Sequence, residues 1–147
     1  FLPKDYWNCN FNHKIMTLNN SVQIRLHSTG FNRIDKNINL TRVIKIFERH
    51  IVIEDISNSH KKHIINNFFH FNKDIKLTNN NHFASLFIND NKLRLNYPQN
   101  NIKTFMNNSP THRFFTTEYG HNSFKSFLNN KNYISNDKPV EHILELI

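Results

Sequence analysis

Cysteine occurs once, at Cys9, which excludes a disulfide within the chain and argues against a small cross-linked secreted scaffold. Glycine occurs only twice and alanine only at Ala84. No run approaches the eighteen or so apolar residues of a membrane-spanning helix. The opening FLPKDYW lacks the Arg-rich, acid-poor amphipathic character of an import presequence, so an organellar protein is expected to be already matured or made inside the organelle. What replaces the missing residues is asparagine, at about one position in five, and phenylalanine, at 14 positions. Asn, Lys, Ile and Phe use AT-rich codons, so the skew points to an AT-rich genome. It also weakens any local reading that rests on Asn alone.

The 147 residues suit one domain with a moderate core. A net charge of +8 suits an anionic partner such as nucleic acid or an acidic surface. Solubility explains the same charge.

Residues Phe1 to Asn20 read as an N-terminal arm with scattered aromatics. In Val22–His27 the apolar Val22, Ile24 and Leu26 alternate with Gln23, Arg25 and His27, the period of a strand with one buried face. Phe31 to about His50 reads as an amphipathic helix. Phe31, Ile34, Ile38, Val43, Ile44 and Phe47 fall on one side, and Arg33, Lys36, Arg42, Lys45 and Arg49 on the other. Ile51–Ile56 favours a strand through its β-branched content. Ser59–Phe71 fits a short helix. His82–Asn89 and Lys92–Tyr97 alternate as two strands of a hairpin across an Asn-Asp-Asn turn. Arg113–Tyr119 predicts a strand, and Lys138–Ile147 a helix with Val140, Ile143, Leu144 and Ile147 as its apolar stripe.

Three blocks in this order resemble the small-subunit ribosomal protein S-ten family. VQIRLHSTGFNRID (Val22 to Asp35) is similar to that family's opening strand, of the form IRIRLKS, and the helix after it. SPTHRFF (Ser109 to Phe115) resembles its PT-containing turn and strand, with His121 and Asn122 near its SPHVNK segment. DKPVEHILELI (Asp137 to Ile147) is similar to its last helix. The resemblance implies an α+β fold, a ferredoxin-like small sheet with two main helices. That domain, residues 21–147, would be enlarged by an insertion at about 51–108 and by the arm. It implies a non-enzymatic constituent of a mitochondrial small ribosomal subunit, located in the matrix. Its partners would be ribosomal RNA and neighbouring head proteins, with no membrane and no cofactor. The matching positions that would touch RNA are Arg25, His27, Arg33, His112, Arg113, His121 and Lys125.

Other chemistry is legible on paper. An accessory subunit of another organellar complex, such as a respiratory complex, would share the arm and the long insertions. A small basic ribonuclease would use His112 or His121 as acid and base, Glu118 as partner, and Arg113 or Lys125 against the phosphorane charge. His60, His63 and His70 have metal-like spacing, but Lys61 and Lys62 would repel a dication and no carboxylate completes the set, so no metal is expected. Cys9 and His13 lack the helical pattern and the glycines of a nucleophile site. Tyr97 and Phe105 suit either base stacking or a core.

Overall fold

Alternation, not helical periodicity, governs this chain. A computed structural model describes residues 11–30, 38–71, 75–79, 83–88, 90–98, 102–105, 114–118, 121–124, 127–135 and 138–147. Among them there is no helix. The strands are β1 (Phe11–Leu18), β2 (Ser21–Ser28), β3 (Leu40–Ile46), β4 (His50–Ser57), β5 (His63–His70), β6 (Lys76–Asn79) and β7 (Phe83–Ile88). They continue with β8 (Asn91–Asn96), β9 (Ile102–Phe105), β10 (Phe114–Glu118), β11 (His121–Phe124), β12 (Phe127–Ile134) and β13 (Val140–Leu146). Eight of them form an antiparallel sheet in the order β1-β2-β3-β4-β13-β8-β7-β6. A second sheet is ordered β5-β12-β9, and β10 pairs with β11.

The expected α+β, ferredoxin-like architecture with two main helices is therefore corrected to an all-β one. The strand predicted over Val22–His27 is present, as are Ile51–Ile56 within β4, the β7–β8 hairpin and the strand after Arg113. The three helices are not. In the region read as the first helix, Thr41 to Ile46 is part of β3, and residues 31–37 lie outside the described set. Its apolar spacings of three to five matched a helix only by mixing residues from two faces of a strand. Val43 and Ile44, grouped on one helical side, point to opposite sides of β3. Arg42 and Lys45, grouped on the other, are likewise separated. Ser59–Phe71 and Lys138–Ile147 read as helical because adjacent apolar residues, Ile64-Ile65 and Ile143-Leu144, fit an i, i+3, i+4 stripe, whereas on β5 and β13 the members of each pair point to opposite faces. Within the segment read as an arm, Phe11–Leu18 is a full strand, paired with β2 along its whole length.

The chain forms two compact units, Phe1–Ile64 with Tyr133–Ile143, and Ile65–Asn132 with Leu144–Ile147. In the first, β1 and β2 are joined by Asn19-Asn20, since Leu18 pairs with Ser21. Asn tolerates the left-handed conformations of such a two-residue turn. The β3–β4 connection closes through the Phe47 amide donating to the His50 carbonyl at 2.9 Å, with the two rings stacked at 4.3 Å. The register aligns Ile15, Ile24, Ile44 and Ile53 in one row across four strands. Such β-branched neighbours are a main source of sheet cohesion.

The second unit has the cleaner core. On β6, β7 and β8 one face carries Leu77, Ala84, Leu86, Leu93 and Leu95, and the other Lys76, Thr78, Phe83, Ser85, Phe87, Lys92, Arg94 and Asn96. Leu77, Ala84, Leu86, Leu95 and Tyr97 form a buried cluster, with Phe69, Phe71, Ile75, Leu93 and Leu144 packed against it. Ala84, the single alanine, is fully buried between Asn79 and Leu95 in the cross-strand row. Buried in this cluster, Tyr97 belongs to the core and does not offer its ring as a stacking platform.

Candidate functional site

The strand order and register of the first unit place two different chemistries on the two faces of β1–β4. On one face Lys14 stands directly opposite Arg25, which stands opposite Val43, and Val43 opposite Glu54. The flanking rows add Gln23 and Lys45 on one side, and Asn12, His27 and Thr41 on the other. Lys14 and Arg25 are both exposed. Like charges directly opposite in a sheet repel, and such a pair is destabilising unless an anion lies between or above it. Among the described residues no carboxylate pairs with either. The nearest acidic side chain of that row, Glu54, is taken by Lys45 at 2.9 Å. His27 accepts or donates a hydrogen bond at Nδ1 with Thr41 Oγ1 at 3.1 Å, which fixes its ring beside the cationic pair.

The opposite face carries the row of Ile15, Ile24, Ile44 and Ile53, with His13 and Thr17 on β1, and a buried ionic group on β3 and β4. Arg42 donates from Nε to Asp55 Oδ1 at 2.7 Å and from Nη2 to Oδ2 at 2.9 Å. Asp55 is completely buried, whereas the Arg42 side chain keeps 40% of its exposure. The two hydrogen bonds hold the guanidinium pKa above its ordinary value, against the opposing effect of burial. His142, on β13, is buried nearby, and desolvation lowers its pKa to about 4, outweighing the attraction of Asp55 and aided by the repulsion of Arg42. At neutral pH His142 is therefore an uncharged part of the core.

Of the residues expected to contact RNA, the structure brings Arg25 and His27 to one face of β2. His121 lies on β11, in register with Glu118 of β10. Arg33, His112, Arg113 and Lys125 lie outside the described residues, as do Cys9 and the PT turn. His63, considered as a metal ligand, instead meets Ser59 Oγ through Nε2 at 2.8 Å. No group of three or more His, Cys, Asp or Glu suited to a metal occurs among the described residues. Sequence reasoning missed Lys14, because the segment around it was read as an arm. Residues 12–17 offered no signal, since Asn12, Lys14 and Met16 are no more polar as a set than His13, Ile15 and Thr17. It also missed the Arg42–Asp55 pair, since a helical reading put Arg42 on a solvated face.

No protein-family model and no curated protein matches this chain. Solved structures do. Heparan sulfate lyase HepC from Pedobacter heparinus aligns with a TM-score of 0.67 at 10% identity over 92% of this chain. A heparinase III aligns with a TM-score of 0.68 at 15% identity over 93% of the chain, and another at 0.61 and 12%. At these identities the likeness is one of fold. This chain spans about a fifth of the length of those lyases, 21% in each case.

These findings correct the resemblance to the small-subunit ribosomal protein S-ten family: the fold has neither of that family's helices among the described residues, and the similar structures are polysaccharide lyases. The expected role as a ribosomal constituent falls with it, and neither the organellar accessory subunit nor the small ribonuclease gains support. Of the three blocks that carried the resemblance, Val22 to Ser28 lies in β2 and Val140 to Leu146 forms β13, while residues 31–35 and 109–113 lie outside the described residues.

Proposed function

We propose that this chain is a β-sheet module that binds an acidic polysaccharide, in the manner of a non-cleaving part of a polysaccharide-lyase-like protein. The single observation that carries the reading is the opposition of Lys14 and Arg25, two exposed cations in one cross-strand row with no carboxylate partner among the described residues. A sulfate or carboxylate placed over them relieves their mutual repulsion and gains charge-assisted hydrogen bonds, with Arg25 able to bind a planar or tetrahedral oxyanion through two N–H groups. The net charge of +8 adds long-range attraction for any polyanion. The likeness in fold to heparan sulfate lyase HepC and to heparinase III selects polysaccharide among the polyanions. His27, held by Thr41, stands in the flanking row of the same face and offers a further polar contact.

The test is retention on immobilised heparan sulfate. The native chain is expected to bind and to elute at raised salt, and Lys14→Glu or Arg25→Glu to elute earlier than Lys138→Glu, a change of equal charge at an exposed position between β12 and β13. Equal elution of all three variants overturns the assignment of the site. Failure of the native chain to bind overturns the function.

A further inference from the structure

The polar face of the second unit carries an arrangement that the reading above does not use. Phe87 stands in one cross-strand row between Lys76 and Lys92. Phe87 keeps 36% of its surface exposed, on the face of β7 opposite to the buried Leu86. The Lys92 ammonium lies 5.8 Å from the ring centroid, at the outer reach of a cation–π contact. In the neighbouring rows the cations are already engaged. Arg94 lies over Phe83 at 5.0 Å and reaches Glu145 at 3.6 Å, while Asn96 donates to the same carboxylate at 2.9 Å. Glu145 is thus committed to Arg94 and Asn96. Among the described residues Lys76 and Lys92 have no carboxylate partner.

We propose that Lys76, Phe87 and Lys92 form a second ligand site, which seats a sugar ring of an acidic polysaccharide on Phe87 and holds its anionic substituents with the two lysines. This rests on the reading that the chain binds such a polymer. The geometry favours a ring over an isolated small anion. The lysines sit on strands separated by one strand, so their backbones are about 10 Å apart, two inter-strand spacings. A single sulfate or phosphate reaches both ammonium groups when the stems lean inward, as Lys92 already does, but it leaves the exposed Phe87 ring without an apolar contact. A ring on the aromatic surface, with a charged substituent on either side, satisfies all three residues at once. Phe87 supplies the apolar contact and the lysines supply charge, the division of labour found in pockets where apolar surface gives affinity and a few polar groups give orientation.

The experiment is a titration of the full ¹⁵N-labelled chain with a heparan sulfate oligosaccharide, following backbone amides. Saturable shifts are expected at residues 76, 87 and 92 as well as at 14 and 25. In Phe87→Leu, which keeps an apolar side chain at this surface position, the shifts at 76 and 92 should require at least severalfold more ligand while those at 14 and 25 titrate as before. In Lys92→Glu the same set should be lost, with a native dispersion of signals confirming the fold. Shifts at 14 and 25 without any at 76, 87 and 92 overturn this second site and leave the first standing. Absence of both sets overturns both. Stronger binding of a single-stranded oligonucleotide than of heparan sulfate at the Phe87 set overturns the proposed ligand class.

Discussion

Arg42 and Asp55 are joined side to side by two hydrogen bonds of 2.7 and 2.9 Å across the β3–β4 pair, with the Asp55 side chain wholly buried and the Arg42 side chain partly exposed. The asymmetry matters for stability. Removing the cation strands a charge in the core, whereas removing both groups does not. Arg42→Met is expected to cost about 3 to 5 kcal/mol, the usual consequence of breaking a buried pair from one side. The double replacement Arg42→Met with Asp55→Leu should recover a large part of that loss. Urea denaturation of the three proteins checks it, and a double variant no more stable than the single one contradicts the account.

His142 predicts an acid limit to stability. Its pKa in the folded chain is lowered to about 4 from an ordinary value near 6.5. The unfolded chain therefore takes up a proton that the folded chain refuses. The stabilisation is complete above about pH 6.5 and is lost progressively as the pH falls toward 4, amounting to on the order of 3 kcal/mol. His142→Leu, close in volume and without a titrating group, should flatten the fall between pH 7 and 4. Thermal unfolding midpoints across that range provide the measurement.

Ala84 is fully buried in the row between Asn79 and Leu95. Its methyl group leaves no room for a larger side chain without displacing Leu86, Leu95 or Tyr97. Ala84→Leu is expected to cost about 1 to 3 kcal/mol through overpacking, and Leu95→Ala about 2 to 5 kcal/mol through the cavity it opens. Both should shift the midpoint of chemical denaturation without altering retention on a polyanion, which separates the core of the second unit from ligand binding.

The hairpins of this fold were legible because their alternation is strict and their turns are polar. Val22, Ile24 and Leu26 against Gln23, Arg25 and His27, and Leu93 and Leu95 against Lys92, Arg94 and Asn96, leave no helical alternative. Elsewhere the strands are apolar on both faces. Leu40–Ile46 buries Val43 on one side and sets Ile44 in the isoleucine row on the other, and adjacent apolar pairs of this kind satisfy a helical stripe. Neither the long-range pairing of β13 with β4 and β8 nor the register that sets Lys14 opposite Arg25 has a local signature. The candidate site was half legible: Arg25 and His27 were singled out, as contacts to RNA, while Lys14, which stands opposite Arg25, was hidden in a segment read as an arm.

The opposition of Lys14 and Arg25 predicts a trade between stability and binding. Lys14→Glu turns a repulsive cross-strand pair into an attractive one and should raise stability by less than about 1 kcal/mol while weakening retention on heparan sulfate. Opposite signs in the two measurements distinguish a surface kept cationic for a ligand from one that is merely solvated. A variant that gains stability and binds as before places the ligand elsewhere.

The most direct test of the central claim is calorimetric titration of the native chain with heparan sulfate at low and at near-physiological salt, beside a neutral dextran of similar length. Binding to the sulfated polymer that weakens steeply as salt rises, with no heat from dextran, is the predicted result, because the cationic rows act through charge that salt screens. No binding to heparan sulfate, or equal binding to dextran at both salt concentrations, contradicts the account.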